Sequence, residues 1–194
     1  MIKNIIFDVG GVIFDDKNNN LKEKFNLSID EAKEITNITF GSNFKDCMLG
    51  NVSVSKYLED MKIKYPNIKD KIEYLLDSNL YYETFPLKKD VYDVVIDLYK
   101  KGYSLYILSN NTEDSFKYVS SVIDMNMFKG IVSSYQEHLI KPNEEIYNLI
   151  IDRYNLKKNE TIFFDDSSKN VLKGNELGIK SIKFNSVEDI INNI

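Results

Sequence analysis

The sequence predicts an α/β fold, a doubly wound parallel sheet with a helical unit inserted after the first strand. Three observations carry this expectation. Two β-branched and aromatic runs end in aspartate, Ile5-Ile6-Phe7-Asp8 near the start and Ile162-Phe163-Phe164-Asp165-Asp166 near the end, as befits parallel strands buried on both faces. From residue 87 onward, helical and strand patterns alternate, the signature of a parallel sheet covered by helices. The next convincing strand after the first lies at 103–108, much further on than the roughly 30 residues of a bare strand-helix-strand unit.

Taken in order, the first strand is expected over 3–7, followed by Asp8 and a Gly10-Gly11 turn. The insertion then reads as helical. Ser28 and Glu31 have capping-box spacing ahead of Ala32, Ile35 and Ile38, and Val54, Tyr57, Leu58 and Met61 make a second apolar stripe. A third stretch, 68–80, begins after Pro66 and carries Ile72, Leu75 and Leu76 on one face. Three or four short helices are expected to pack as a small bundle. The domain reading is therefore a core of 1–14 and 87–194 with a helical cap over 15–86.

Within the second part of the core, Val91, Val94, Val95 and Leu98 mark a helix stopped by Lys101-Gly102, and the 103–108 strand leads into Ser109-Asn110-Asn111. A helix is expected over 112–122, a short strand over 130–134, and then Lys141-Pro142. A helix over 144–154, a strand over 161–164, a helix ending near Leu177-Gly178, a strand over 180–184 and a terminal helix from about 187 complete a sheet of about five strands. Asn18 to Asn20 suit a loop.

Composition narrows the function classes. With 194 residues and 43% hydrophobic content, the chain can bury one substantial core. A formal charge of -5 argues against nucleic acid as the main partner, since phosphate-backbone binding normally needs a basic stripe. Cys47 is the single cysteine, so an intrachain disulfide is impossible and a reducing compartment is expected. The first strand begins within a few residues of Met1, leaving no space for a secretory signal, and no apolar stretch reaches the roughly 20 residues of a membrane span. The expectation is a cytoplasmic protein with no membrane partner; the sequence does not fix its oligomeric state.

Four polar clusters follow successive strands: Asp8, Ser109-Asn110, Lys141 and Asp165-Asp166. Each alone has a plain structural explanation. A strand-end aspartate is commonly a turn former or helix cap, Ser109 suits a cap for the next helix, and Lys141 suits a surface lysine beside Pro142. Jointly they point elsewhere, because parallel strands present functional groups at their carboxyl ends and these would open into one crevice. Three carboxylates gathered there repel one another unless a cation neutralises them, which implies a hard metal such as magnesium.

The succession Phe7-Asp8-Val9-Gly10-Gly11, Leu108-Ser109-Asn110-Asn111, Lys141-Pro142 and Phe163-Phe164-Asp165-Asp166-Ser167-Ser168-Lys169-Asn170 resembles the four motifs of the haloacid dehalogenase-like superfamily, spread over nearly the whole chain. Within it, the Gly-Gly turn, the helical insertion and the acidic ending are most similar to small sugar-phosphate phosphatases of the glucose-1-phosphatase type. The phosphatase portion of soluble epoxide hydrolases is a looser likeness. The resemblance implies a Rossmann-like core, an inserted cap, and magnesium-dependent hydrolysis of a small phosphorylated metabolite. Asp8 would be the nucleophile that becomes an aspartyl-phosphate. Asp8, Asp166 and the Gly10 carbonyl would bind Mg2+, with Asp165 bound directly or acting through a neighbour. Ser109 and the Asn110 main-chain N–H would hold a phosphoryl oxygen, Lys141 would neutralise charge on Asp8 and the transferring group, and Asn170 would orient a metal ligand.

One position departs from the pattern. Most phosphatases of the superfamily carry a second aspartate two residues after the nucleophile for general acid-base work; here that residue is Gly10. Three explanations compete, the first preferred: a leaving group that needs little help, as the anomeric oxygen of a sugar 1-phosphate would; a substitute such as Asp15, Asp16 or a substrate hydroxyl acting through water; or a phosphate-binding regulatory protein with little turnover. A sugar phosphomutase ranks below hydrolysis because it usually needs the missing aspartate. Dehalogenation ranks below it too, because those relatives work without magnesium and would have little use for Asp165-Asp166.

The remaining candidates read as structural. His138, the single histidine, reads as a loop residue, and Cys47 as a small buried hydrophobe. Tyr81, Tyr82 and Phe85, where the insertion rejoins the core, read as packing in preference to a substrate entrance. The segment from Gly41 to Gly50 is polar enough to face a sugar, and a solvated connection between helices accounts for it equally well.

Overall fold

The computed structural model describes residues 1–16, 26–74 and 85–194. Asn18 to Asn20, the end of the third helical stretch with Leu75 and Leu76, and the pair Tyr81 and Tyr82 lie outside the described residues.

Five parallel strands, β1 (Asn4–Phe7), β2 (Ser104–Ser109), β3 (Phe128–Ser133), β4 (Thr161–Asp165) and β5 (Lys180–Lys183), form one sheet in the order β3-β2-β1-β4-β5. The strand residues sort alternately onto two faces. Ile5, Phe7, Leu105, Ile107, Ile162 and Phe164 join one apolar cluster, while Ile6, Tyr106, Leu108 and Phe163 join another. Both faces are thus dry, which is why these strands read as continuous apolar runs.

Helices α5 (Lys89–Lys100), α6 (Glu113–Val122) and α10 (Val187–Ile191) cover the first face through Val91, Val95, Leu98, Val119 and Ile190. Helix α8 (Glu144–Arg153) covers the second with Ile146, Tyr147, Ile150 and Ile151. Helix α9 (Ser168–Glu176) follows β4 and packs beside β5, where Gly174 has no room for a side chain: a Cβ there would sit 2.2 Å from Ser181 Oγ.

A third apolar cluster stands apart from the sheet. It is built from Leu27, Ile35, Ile38, Cys47, Tyr57, Leu58, Ile68 and Ile72. Its helices are α1 (Ile29–Phe40), α2 (Lys45–Met48), α3 (Val54–Lys64) and α4 (Lys69–Tyr74). The Ser28/Glu31 capping box forms in both directions, and Cys47 is buried among apolar neighbours. The segments leaving and re-entering the core meet as a short ladder. Phe14 bridges Leu87, the Asp15 N–H donates to the Pro86 carbonyl at 2.9 Å, and the Lys88 N–H to the Ile13 carbonyl at 2.9 Å.

Two elements differ from expectation. Strand β3 starts at Phe128 rather than 130, because Phe128 and Gly130 are buried while only Lys129 between them faces water; Gly130 lies against the Tyr154 ring. The segment after it, expected as loop, contains α7 (Ser134–Glu137), closed by His138 in a left-handed conformation at φ 55. Helix α7 packs against α2.

Candidate active site

Strand β1 is the central strand, flanked by β2 and β4, so the connections leave it to opposite sides and open a crevice at the carboxyl edge. The register decides what faces that crevice. Phe7 pairs with Phe164 and with Ile107, so the next residues, Asp8, Asp165 and Leu108-Ser109, emerge at one level. Asp8, Asp165 and Asp166 bring one carboxylate oxygen each within 4.8 Å of the others.

Lys141 reaches the same point from the β3 side. Its Nζ lies 2.9 Å from Asp8 Oδ2 and 2.7 Å from Asp165 Oδ2, and the lysine and Asp165 side chains are wholly buried. The plain reading of Lys141 as a surface residue therefore fails. Its backbone is clamped by Asn110, whose Oδ1 accepts from the Lys141 N–H at 2.8 Å and whose Nδ2 donates to the Lys141 carbonyl at 3.0 Å.

Charge balance bears on what the site can hold. Burial pushes the Asp8 carboxyl up to about 8, against the lowering pull of Lys141 and with a further push from Asp165. Burial, Asp16 and Asp165 likewise raise Asp166, with Lys141 and Lys88 opposing. Burial disfavours the Lys141 ammonium, yet Asp8 and Asp165 outweigh it and hold its pKa above the ordinary lysine value. One buried ammonium among three carboxylates leaves an excess of negative charge in a poorly solvated place. An all-oxygen donor set with surplus negative charge fits a hard divalent cation.

Asp165 is the most tightly held of the three. Its Oδ1 accepts from the Ser167 N–H at 2.8 Å, and Asn170 Nδ2 lies 3.0 Å from both of its oxygens. Asn170 is buried, and its carbonyl accepts from the Tyr147 hydroxyl at 3.0 Å. Asp8 Oδ1 accepts from the Val9 N–H at 2.7 Å, leaving Oδ2 toward the lysine.

Ser109 is buried at the end of β2, and the following helix is capped by Thr112 instead, whose side chain accepts from the Ser115 N–H and whose own N–H donates to Ser115 Oγ. Ser109 is thus not the helix cap. Gly10 and Gly11 bring the backbone close beneath the acids. Gly11 has φ +72, and a Cβ on it would sit 2.4 Å from Asp166 Cγ.

Three further residues stand around the site. Lys88 donates from Nζ to the Gly11 carbonyl and its charge opposes the rise of Asp166. Nothing local marks it, because its contact depends on how the returning segment crosses the outgoing one. Asn111, 8% exposed, accepts from the Ser133 hydroxyl, and its Nδ2 is a buried donor without a partner among the described residues. Ser134 Oγ accepts from the Asn111 N–H at 2.9 Å and lies 2.6 Å from the Met48 carbonyl. This hydroxyl links the loop after β2 to the turn after α2. His138 makes a parallel link through Nδ1, 2.7 Å from the Leu49 carbonyl. The segment from Gly41 to Gly50 thus rests on α7 and its flanks, with Gly50 at φ +70 against the Tyr135 carbonyl.

Comparison with known proteins agrees with this architecture. A family model described as haloacid dehalogenase-like hydrolase matches residues 2–178. The chain is 27% identical to D-ribitol-5-phosphate phosphatase of Bacteroides thetaiotaomicron, over 94% of this chain and 92% of that protein. It is 30% identical to mouse Bifunctional epoxide hydrolase 2 over 50% of this chain, a match spanning only 18% of that longer protein. Among solved structures, a HAD family enzyme from B. thetaiotaomicron in complex with magnesium and inorganic phosphate superposes with a TM-score of 0.76 at 20% identity, covering 95% of each chain.

Proposed function

The chain belongs to the haloacid dehalogenase-like hydrolases, and on that premise we propose that it is a magnesium-dependent phosphatase hydrolysing a small phosphate monoester, a sugar or sugar-alcohol phosphate, through phospho-Asp8. The observation that carries this reading is the meeting of Asp8, Asp165 and Asp166 within 4.8 Å beside the buried Lys141 ammonium. The D-ribitol-5-phosphate phosphatase likeness, which runs nearly end to end, supports the substrate class.

Asp8, Asp166 and the Gly10 carbonyl are the residues that would hold the metal, with Asp165 either bound to it or fixing its neighbours. The cation supplies charge neutralisation between carboxylate and phosphate and polarises the phosphorus. Asp8 attacks in line, the P–O bond to the alcohol breaks, and water later releases phosphate from the carboxylate. Lys141 stabilises charge on Asp8 and on the transferring group. Ser109 and the Asn110 N–H hold a phosphoryl oxygen at the carboxyl end of β2. Asn170 keeps both Asp165 oxygens oriented. The helical unit around the third cluster acts as the cap, excluding bulk water and choosing the alcohol portion.

The test is a panel of phosphate esters assayed with and without Mg2+, using wild type and Asp8→Asn. Phosphate release that needs the metal and disappears in the variant is expected. Release without metal, or full activity in Asp8→Asn, defeats the mechanism; binding of Mg2+ and phosphate without turnover identifies a regulatory protein instead.

A further inference from the structure

The empty side-chain position at Gly10 is filled from elsewhere in the chain. The turn after β1 folds back on itself: the Ile13 and Phe14 N–H groups both donate to the Val9 carbonyl at 2.9 Å, and Phe14 bridges Gly10. The ladder between Phe14-Asp15 and Pro86-Leu87 then carries the chain past the glycine. As a result Asp16 Oδ2 lies 3.4 Å from the point where a Cβ on Gly10 would stand, with the Phe85 ring at 3.6 Å closing the other side. A carboxylate thus lies in van der Waals contact with the point from which an acidic side chain at residue 10 would start. Asp16 is only half-buried, so part of the side chain meets solvent.

Resting on the phosphatase reading, we propose that Asp16 is the residue that meets the leaving-group oxygen, taking over the acid-base work that no side chain at Gly10 performs. As the Asp8 oxygen bonds to phosphorus, the bond between phosphorus and the alcohol oxygen breaks, its electron pair stays on that oxygen, and the Asp16 carboxyl gives it a proton. In the second half, the Asp16 carboxylate takes a proton from the attacking water while the bond between phosphorus and Asp8 breaks and its electrons return to Asp8. The substrate class this favours is an ester of an ordinary alcohol, whose alkoxide is a poor leaving group, rather than an anomeric phosphate that departs unaided.

The test compares leaving groups. Asp16→Asn, nearly the same in size, is assayed with Mg2+ against an alkyl ester such as D-ribitol 5-phosphate and an aryl ester such as p-nitrophenyl phosphate. The alkyl ester should slow about a hundredfold and the aryl ester by about threefold or less, since only the former needs a proton. Equal slowing of both, the mark of a structural role, or no slowing of either, overturns the proposal. Wild type alone gives an independent check: its rate over a series of esters should depend weakly on leaving-group acidity, and a steep dependence overturns the proposal even if the variant does not fold. If wild type with Mg2+ releases phosphate from no ester at all, the phosphatase reading itself falls and the role of Asp16 falls with it.

Discussion

Asn110 and Lys141, on loops that follow different strands, hold each other by a reciprocal pair of hydrogen bonds between the asparagine amide and the lysine main chain, at 2.8 and 3.0 Å. The amide therefore fixes where the Lys141 side chain starts, and the ammonium at its far end neutralises Asp8 and Asp165. The loop that would bind phosphate and the loop that carries the ammonium are thereby tied together.

Replacing that amide should show both effects. Asn110→Ala is expected to cost roughly 1–3 kcal/mol, because the Lys141 N–H and carbonyl lose their partners. The value of kcat should fall by more than KM rises, since the ammonium loses its position. Urea titration together with steady-state kinetics checks this; a variant as stable and as fast as wild type would show that the clamp is incidental.

Removing the ammonium should be harsher. Lys141→Met leaves Asp8 and Asp165 facing each other in a buried place, and breaking a buried ionic cluster in this way costs roughly 3–5 kcal/mol. Saturating Mg2+ should recover part of that stability, because the cation takes up the same negative charge. Thermal midpoints recorded in chelator and in Mg2+ test the point, and an identical loss in both conditions speaks against a shared charge site.

Asn170 should act on metal affinity. With Asn170→Ala, Asp165 keeps the Ser167 N–H but loses the amide that lies 3.0 Å from both its oxygens. Mg2+ binding should weaken about 10- to 100-fold. Calorimetry reads this without turnover, and unchanged affinity would place Asn170 outside the metal's support.

The acidity of Asp8 predicts a pH dependence. Burial raises its carboxyl from 3.8 to about 8, with Asp165 adding to the effect and Lys141 opposing it. Between those two values the folded protein binds the proton more tightly than the unfolded chain, so the stability of the magnesium-free protein falls as pH rises through this window. Asp8→Asn lacks this loss; its thermal midpoint in chelator should climb relative to wild type from about pH 4 to about pH 8. A difference that stays constant with pH would falsify the assignment.

Gly11 should tolerate nothing larger. Gly11→Ala meets both a positive φ and Asp166 at 2.4 Å, so Asp166 must move. Mg2+-dependent activity should collapse by about a hundredfold or more, while Gly102→Ala, at φ +87 with open space around it, should lower stability alone. Comparable activity losses in both variants would argue against a special role for Gly11.

The sequence determined much of the scaffold by itself. Strands buried on both faces must be apolar throughout, so Ile5-Ile6-Phe7 and Ile162-Phe163-Phe164 announced themselves, and an aspartate closing each run placed the acids at strand ends. Capping chemistry is local, and Ser28 with Glu31 was therefore legible without coordinates. Lys88, Ser134 and Asn111 were not, because their partners lie in segments distant along the chain.

What only the tertiary structure decided is which of two plausible roles each polar residue takes. Lys141 has the local sequence of a surface lysine and Asn170 that of an exposed helix residue, yet the register of β1 between β2 and β4 brings Asp8 and Asp165 to one level and draws both inward. Asp16 was one of several substitutes the sequence offered for the missing acid, and only the fold-back after Gly10 set its carboxylate beside the glycine. Burial and charge pairing depend on which strands become neighbours, and that is settled by packing across the whole sheet rather than by the residues on either side.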